Sequence, residues 1–313
     1  MAKRIAMIGE CMLELTRPPS QQVGGSLPMN LSYGGDTLNS AVYLARQGVQ
    51  VDYVTALGDD SLSAWMVGEW RAEGVGCDLV QYAASAVPGL YLIETDADGE
   101  RSFHYWRESS AARRLLEDPE NAERLFSELA NHHYICLSGI TLAIYSPASR
   151  QRLFDHLIAY RHKGGKVVFD GNYRPRLWES EDATRHSYEQ MYRITDIALP
   201  TLDEEQGLFG LADQSAFIAR LRSWGVREMA IKLGASGCLV VGDAEPERIA
   251  ARKVDVVDTT SAGDSFNAGY LAARMSGRAP DAAVRAGQHL ASIVIQHQGA
   301  IIPADAMPGE HWV

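Results

Sequence analysis

Residues 256–277 read VVDTTSAGDSFNAGYLAARMSG, and the change of character within this stretch decides the fold. Small and polar residues run without a break into apolar positions Phe266, Tyr270 and Ala273 at helical spacing, so a loop opens a helix here. Ala262 and Gly263 lack bulk, which lets a phosphate approach their backbone N–H groups, and the helix dipole favours its charge. Asp264 falls at the helix start with its carboxylate toward such a ligand. Taken alone, an aspartate there reads as an N-terminal cap. The same dipole predicts an ionised Asp264, a weak base at neutral pH.

On either side of this junction, β-branched and apolar runs at 4–8, 51–57, 134–138, 166–170, 196–200, 228–232 and 238–242 alternate with helical periods. Leu38, Val42 and Ala45 follow the Gly34-Gly35 pair; Leu153, Leu157 and Tyr160 follow Ser146-Pro147. Strand–helix alternation predicts βαβ units, hence an α/β chain with a mainly parallel sheet. Two segments interrupt it: 11–33, and 88–107, PGLYLIETDADGERSFHYWR, which reads as two strands around an Asp98-Gly99 turn. Together they predict a small β lid over the carboxyl ends of the parallel strands, where open α/β sheets bind ligands. No internal repeat or low-complexity linker divides the chain, so 1–313 reads as one domain.

Composition narrows the class. With 313 residues, 46% hydrophobic and 22% charged, the chain can bury a large core, which excludes disordered and collagen-like sequences. A net charge of −11 without a basic stripe argues against a nucleic-acid partner. No apolar run reaches the roughly 18 residues of a membrane span, and MAKRIAMIGE holds too short an apolar run for a signal peptide. Cys11, Cys77, Cys136 and Cys238 lie far apart, in neither zinc nor disulfide spacing, so the expectation is a cytoplasmic protein with buried, reduced thiols. Walker A, dinucleotide, esterase and zinc-protease motifs are missing. His132 and His133 lack ligand spacing.

The 256–277 segment resembles the second signature of the ribokinase-like, or PfkB-type, carbohydrate kinases, whose D-T-x-G-A-G-D loop supplies an anion hole and a catalytic aspartate. YGGDTLNSAVYLARQG at 33–48 resembles the first signature. The resemblance implies a ribokinase-like three-layer sandwich with a β lid, ATP as co-substrate, and Mg2+. It assigns Asp264 as catalytic, the Ala262, Gly263 and Asp264 N–H groups to the anion hole, and Gly34, Gly35, Asp36 and Asn39 to the sugar. Ser261 stands where the family commonly has Gly and reads as a tolerated small side chain. DGNYR at 170–174 would turn Asn172 to the nucleotide phosphates and Arg174 to the substrate. TLDE at 201–204 is similar to the family's N-x-x-E motif, whose Glu, here Glu204, helps hold Mg2+ through water and phosphate; Thr201 replaces the Asn. KLGASG at 232–237 places Lys232, Gly234, Ala235, Ser236 and Gly237 along the nucleotide, with Ser261, Ala262 and Gly263. A monovalent cation near Asp258 and residues 295–302 is implied by resemblance alone.

Within that family the chain is most similar to kinases of 2-keto-3-deoxygluconate, through IGECMLEL at 8–15, PGLYLIETDADGER at 88–101 and GAIIP at 299–303. Tyr91, Tyr105 and Arg107 occupy odd positions of the lid strands and so share one face. Two hydroxyls and a guanidinium suit a polyhydroxy acid, and Arg174 adds a second planar fork for its carboxylate. The resemblance implies Mg2+-dependent transfer from ATP to the 6-hydroxyl of 2-keto-3-deoxygluconate, in a homo-oligomer paired through its lids. Gluconate- and galactonate-derived acids both stay open. So do a fructokinase or another sugar kinase, separated by the need for an acid group, and a non-catalytic sugar or nucleotide sensor, which the retained Asp264 and glycine loop disfavour.

Overall fold

The structure, a computed structural model, describes residues 3–17, 25–95 and 101–308. Its central sheet has eight strands, in the order Glu247–Ile249, Cys238–Val241, Glu228–Lys232, Ile197–Ala198, Lys166–Asp170, Tyr134–Ser138, Arg4–Ile8 and Gln50–Val54. Pairing is parallel from Gln50–Val54 through Glu228–Lys232 and antiparallel across the last two strands. Alternate residues feed two cores. Ala6, Ile8, Ile135, Leu137, Val167 and Phe169 point into one, while Ile5, Met7, Cys136 and Val168 point into the other. Burial on both faces is why these strands read as unbroken apolar runs rather than alternating ones.

The helices follow local chemistry. Asp36–Arg46 starts directly after Gly35 and buries Leu38 and Val42. Pro147–His162 starts on a Ser146 cap, whose Oγ accepts the Ser149 N–H at 3.2 Å, and has Pro at its first position. The four cysteines are buried and free. Among the described residues, no helix is long and apolar enough to cross a membrane.

Two of the expected strand runs change, and an unexpected strand closes the sheet edge. The 51–57 run splits at Thr55: Gln50–Val54 stays in the central sheet, while Ala56–Gly58 leaves it to pair with Gln81–Ala83. A continuous apolar run carries no mark of that change of sheet. The 196–200 run contributes only Ile197–Ala198, because Pro200 has no N–H to extend the ladder. Glu247–Ile249, polar and on the sheet edge, gives no strand signal in the sequence.

The lid is a four-stranded sheet in the order Asn30–Gly34, Met12–Thr16, Leu90–Thr95, Arg101–Trp106. It draws on the two expected segments, and the Asp98-Gly99 turn lies outside the described residues. The Met12–Thr16 strand continues the Arg4–Ile8 strand through Gly9, Glu10 and Cys11, so the lid is rooted at the carboxyl end of the central sheet. Tyr91 lies opposite Tyr105 in register, with ring centroids 5.9 Å apart.

Candidate active site

Two helix N-termini converge beneath the lid root. Asn39, on the Asp36–Arg46 helix, donates its amide to Asp264 Oδ2 at 2.8 Å, and the Ser40 hydroxyl donates to the Asp264 carbonyl at 3.0 Å. Ser261, in a left-handed conformation with φ 63°, donates its hydroxyl to the same Oδ2 at 3.0 Å. Burial pushes the Asp264 carboxyl up to about 7, Asp36 and Asp170 push the same way, and the Asn39 and Ser261 bonds oppose them. The expectation of a weakly basic carboxylate is thereby corrected. Desolvation and two neighbouring acids outweigh the helix dipole.

The side expected to take a phosphate lies along the Ala262–Met275 helix. Of the three N–H groups expected in the anion hole, that of Ala262 turns back to the Thr259 carbonyl at 3.2 Å. Those of Gly263 and Asp264, in the first turn, have no intrahelical acceptor. A Cβ built on Gly263 would meet only Lys232 Nζ, at 3.6 Å. That leaves an open gap walled by an ammonium, which fits a phosphate. Lys232 is steadied by Asp170 Oδ1 at 3.0 Å and Asn267 Oδ1 at 3.3 Å, and Asn267 donates to Asp170 Oδ2 at 2.6 Å. Asp170 and Asn267 are missed by the sequence reading, although Asp170 opens the DGNYR motif and Asn267 follows Asp264 by one helical turn. Gly234, Ala235 and Ser236 form an exposed turn beyond Lys232. Gly237, at φ 103°, is required there, since a Cβ would fall 2.1 Å from the Ile249 carbonyl.

The acceptor side departs from expectation in detail. Gly34 and Gly35 serve close packing: a Cβ on Gly35 would lie 2.2 Å from the Glu10 carbonyl, and one on Gly34 would meet the Tyr91 hydroxyl. Partial burial of Asp36 raises its pKa, and its carboxylate accepts the Thr37 N–H at 2.8 Å and the Asn172 amide at 2.7 Å. Asn172, expected on the phosphates, therefore turns to Asp36. Arg107 is buried in an ion pair with Glu10, and the Tyr91 hydroxyl donates to Glu14. Tyr105 is half exposed. Arg174 donates to Glu204 Oε1 at 2.8 Å, so the expected substrate cation and the expected metal-side acid hold each other. Glu10 and Glu14 are further residues the sequence reading missed as partners, although both lie in the IGECMLEL stretch.

Glu204 also accepts the Tyr173 N–H at 3.2 Å. Among the described residues no group of three His, Cys, Asp or Glu could chelate a metal. One nearby carboxylate suits Mg2+, which keeps waters and is held largely by substrate phosphates. Asp258 pins the 256–264 loop: Oδ1 accepts the Thr260 N–H at 2.9 Å and hydroxyl at 2.7 Å, and Oδ2 accepts the Gly299 N–H at 2.9 Å.

The model of the family described as pfkB family carbohydrate kinase matches residues 2–307. The 2-dehydro-3-deoxygluconokinase of Dickeya dadantii is 51% identical over 314 residues, covering 98% of this chain and 99% of that protein. The protein of the same name from Escherichia coli K12 is 48% identical over 316 residues, covering 98% and 100%. Among solved structures, a putative ribokinase II from E. coli in complex with ATP and Mg2+ superposes with a TM-score of 0.82 at 20% identity, covering 96% of this chain and 95% of that one. The fold is thus the ribokinase-like α/β sandwich. With a family model spanning nearly the whole chain and relatives about half identical from end to end, the chain belongs to the pfkB family of carbohydrate kinases.

Proposed function

We propose that the chain transfers the γ-phosphoryl group of ATP to the 6-hydroxyl of 2-keto-3-deoxygluconate, giving the 6-phospho acid and ADP. The observation that carries the chemistry is the placement of a partly buried carboxylate with a pKa near 7, Asp264, one residue from the open Gly263–Lys232 gap. The acceptor follows the relatives' names.

In this reading Asp264 takes the hydroxyl proton as the bond to phosphorus forms, and a pKa near the working pH suits a general base. A loose transition state asks for that proton late, so Asp264 also orients the hydroxyl. The Gly263 and Asp264 N–H groups donate to the transferring phosphoryl oxygens, and the Lys232 ammonium adds positive charge beside them. Glu204 would help hold Mg2+ brought by ATP, and the ion would supply neutralisation of phosphate charge. Arg107 and Arg174 offer guanidinium forks to the acceptor carboxylate, and Glu10 and Glu204 hold those forks in place until it arrives. Tyr91, Tyr105, Asp36 and Asn39 line the polyhydroxy chain.

A monovalent cation near Asp258, pairing of copies through the lids and a cytoplasmic location complete the proposal. Leu31 and Trp106, exposed on the lid face opposite Tyr91 and Tyr105, support the pairing. The test is an ADP-forming assay over 2-keto-3-deoxygluconate, its galactonate-derived epimer and fructose. Preference for a keto acid over fructose is expected. Equal efficiency with fructose overturns the acid assignment, and no ADP formation with any sugar overturns the kinase reading.

A further inference from the structure

We propose that Ser261 is a positioning residue for Asp264: its hydroxyl fixes one carboxylate oxygen, so that the other meets the acceptor hydroxyl in ionised form. The proposal rests on the base assignment made under Proposed function. Ser261 holds φ 63° and ψ 14°, and only Ser85 and Asn172 share a positive φ among the described non-glycine residues. A serine is disfavoured there, whereas glycine adopts the conformation freely. A side chain retained at such a position beside a reactive carboxylate points to use.

The use is visible in the bonds. Asp264 Oδ2 receives the Ser261 hydroxyl at 3.0 Å and the Asn39 amide at 2.8 Å. Those donors come from opposite sides, one from the loop before the Ala262–Met275 helix and one from the Asp36–Arg46 helix. The Ser261 carbonyl is itself anchored by the Ser265 N–H at 2.9 Å and hydroxyl at 2.7 Å, so its hydroxyl is delivered from a fixed backbone. With Oδ2 clamped, Oδ1 is the oxygen left for the acceptor. Glycine would keep the turn and lose one arm of the clamp.

The charged surroundings explain why a second donor matters. Asp36 and Tyr43 face Asp264 from the Asp36–Arg46 helix and Asp170 from the end of the Lys166–Asp170 strand, while Lys232, beside Gly263, is paired to Asp170. The two aspartates favour a protonated Asp264, and the Lys232 charge is largely taken up by Asp170. A hydroxyl donating to the carboxylate favours the ionised form.

The experiment is the pH profile of kcat/KM for Ser261→Gly and Ser261→Ala, run with whichever acceptor the wild type uses, beside Asp264→Asn. Losing a hydrogen bond to a charged group predicts that the acid limb of both Ser261 variants moves up by on the order of one pH unit. Below that limb the rate falls about tenfold, and well above it the rate returns to within about threefold of wild type. KM for ATP stays unchanged. Ser261→Gly raises Tm by removing the left-handed serine, while Ser261→Ala does not, so strain and hydroxyl are read separately. An acid limb left in place by Ser261→Gly overturns the proposal, as does a loss uniform across pH. If Asp264→Asn keeps the wild-type limb, the base assignment itself fails. If that limb disappears and Ser261→Gly leaves it unmoved, only the role of Ser261 fails.

Discussion

Replacing Asp264 with asparagine should remove most turnover and yet make the folded protein more resistant to heat, increasingly so as pH rises. The folded carboxyl holds its proton up to about pH 7 instead of the ordinary 3.8, because it is partly buried beside Asp36 and Asp170. A folded pKa raised in this way contributes stability in full below pH 3.8 and loses it as pH climbs through about 7. Asparagine never ionises, and its carbonyl can accept the same Asn39 and Ser261 bonds. At 1.36 kcal/mol per pH unit, the interval from 3.8 to about 7 is worth about 4 kcal/mol above pH 8, and the interval from 3.8 to 5 about 1.6 kcal/mol at pH 5. An unfolding entropy of about 2.1 cal/mol/K per residue converts 1 kcal/mol into about 1.5 °C for a chain of 313 residues. Calorimetry of the ligand-free protein should therefore show Tm raised by up to about 6 °C at pH 8.5 and about 2 °C at pH 5. Turnover should fall by roughly 10²–10⁴ while ATP still binds. A Tm gain that is the same at both pH values, or a Tm loss, would refute the burial-and-repulsion account of Asp264. Turnover within about threefold of wild type would refute its role as base.

The wild-type kcat/KM should rise with pH through about 7 as Asp264 ionises, and an acid limb near pH 4 would remove Asp264 as its source. Gly263→Val should cut turnover by on the order of 10²–10³ with circular dichroism unchanged, because its side chain enters the phosphate gap and meets no protein wall other than Lys232. Unchanged kinetics would mean the phosphate lies elsewhere. Arg174→Ala should raise KM for the keto acid by roughly 10- to 150-fold and leave KM for ATP alone. Arg107→Ala should do the same and also lower Tm, since it strands the buried Glu10; a defect confined to ATP would place either arginine on the nucleotide. The Asp52 carboxyl, held below its ordinary range chiefly by the His132 bond, contributes stability above pH 3.8 that is lost on acidification through its lowered folded pKa. Asp52→Asn should cost roughly 1–3 kcal/mol at pH 7, the loss of a hydrogen bond to a charged group, and nothing once the pH lies below the lowered folded pKa; an equal cost at both would mean packing rather than charge.

The positions of strands are written into this chain wherever a strand is buried on both faces, so that Ile5 to Ile8 or Val167 to Phe169 appear as apolar runs between helical periods. Membership of a sheet is not. Thr55 separates two strands of different sheets without any change in hydrophobic character. The site was legible where its parts are contiguous, as in the 33–48 and 256–277 stretches. It was opaque where side chains meet across the chain: Asn39 and Asp264 are 225 residues apart, and the Glu10–Arg107 and Asp170–Asn267 pairs each span 97. Motifs name which groups enter a site, but ion pairs among those groups depend on packing geometry. Arg174 was assigned to one ligand and Glu204 to another, and neither motif shows that the two side chains touch. The basicity of Asp264 was misjudged for the same reason, since the dipole is local and the two opposing acids are not.

The position of Arg4–Ile8 in the sheet has a consequence for how the chain is made. This strand lies between Gln50–Val54 and Tyr134–Ser138, so a nascent chain can give it one neighbour early but leaves its other edge open until residue 138 has emerged. Exposed strand edges invite pairing with other chains, and long closure distances slow folding. The Ala262–Met275 helix is later still, although it packs against Asp36–Arg46 from the start of the chain. A growing polypeptide therefore carries the Asp36–Arg46 helix for more than two hundred residues of synthesis before the helix it packs against exists. Ribosome-bound fragments ending before Asp264 are the species on which chaperones should act most.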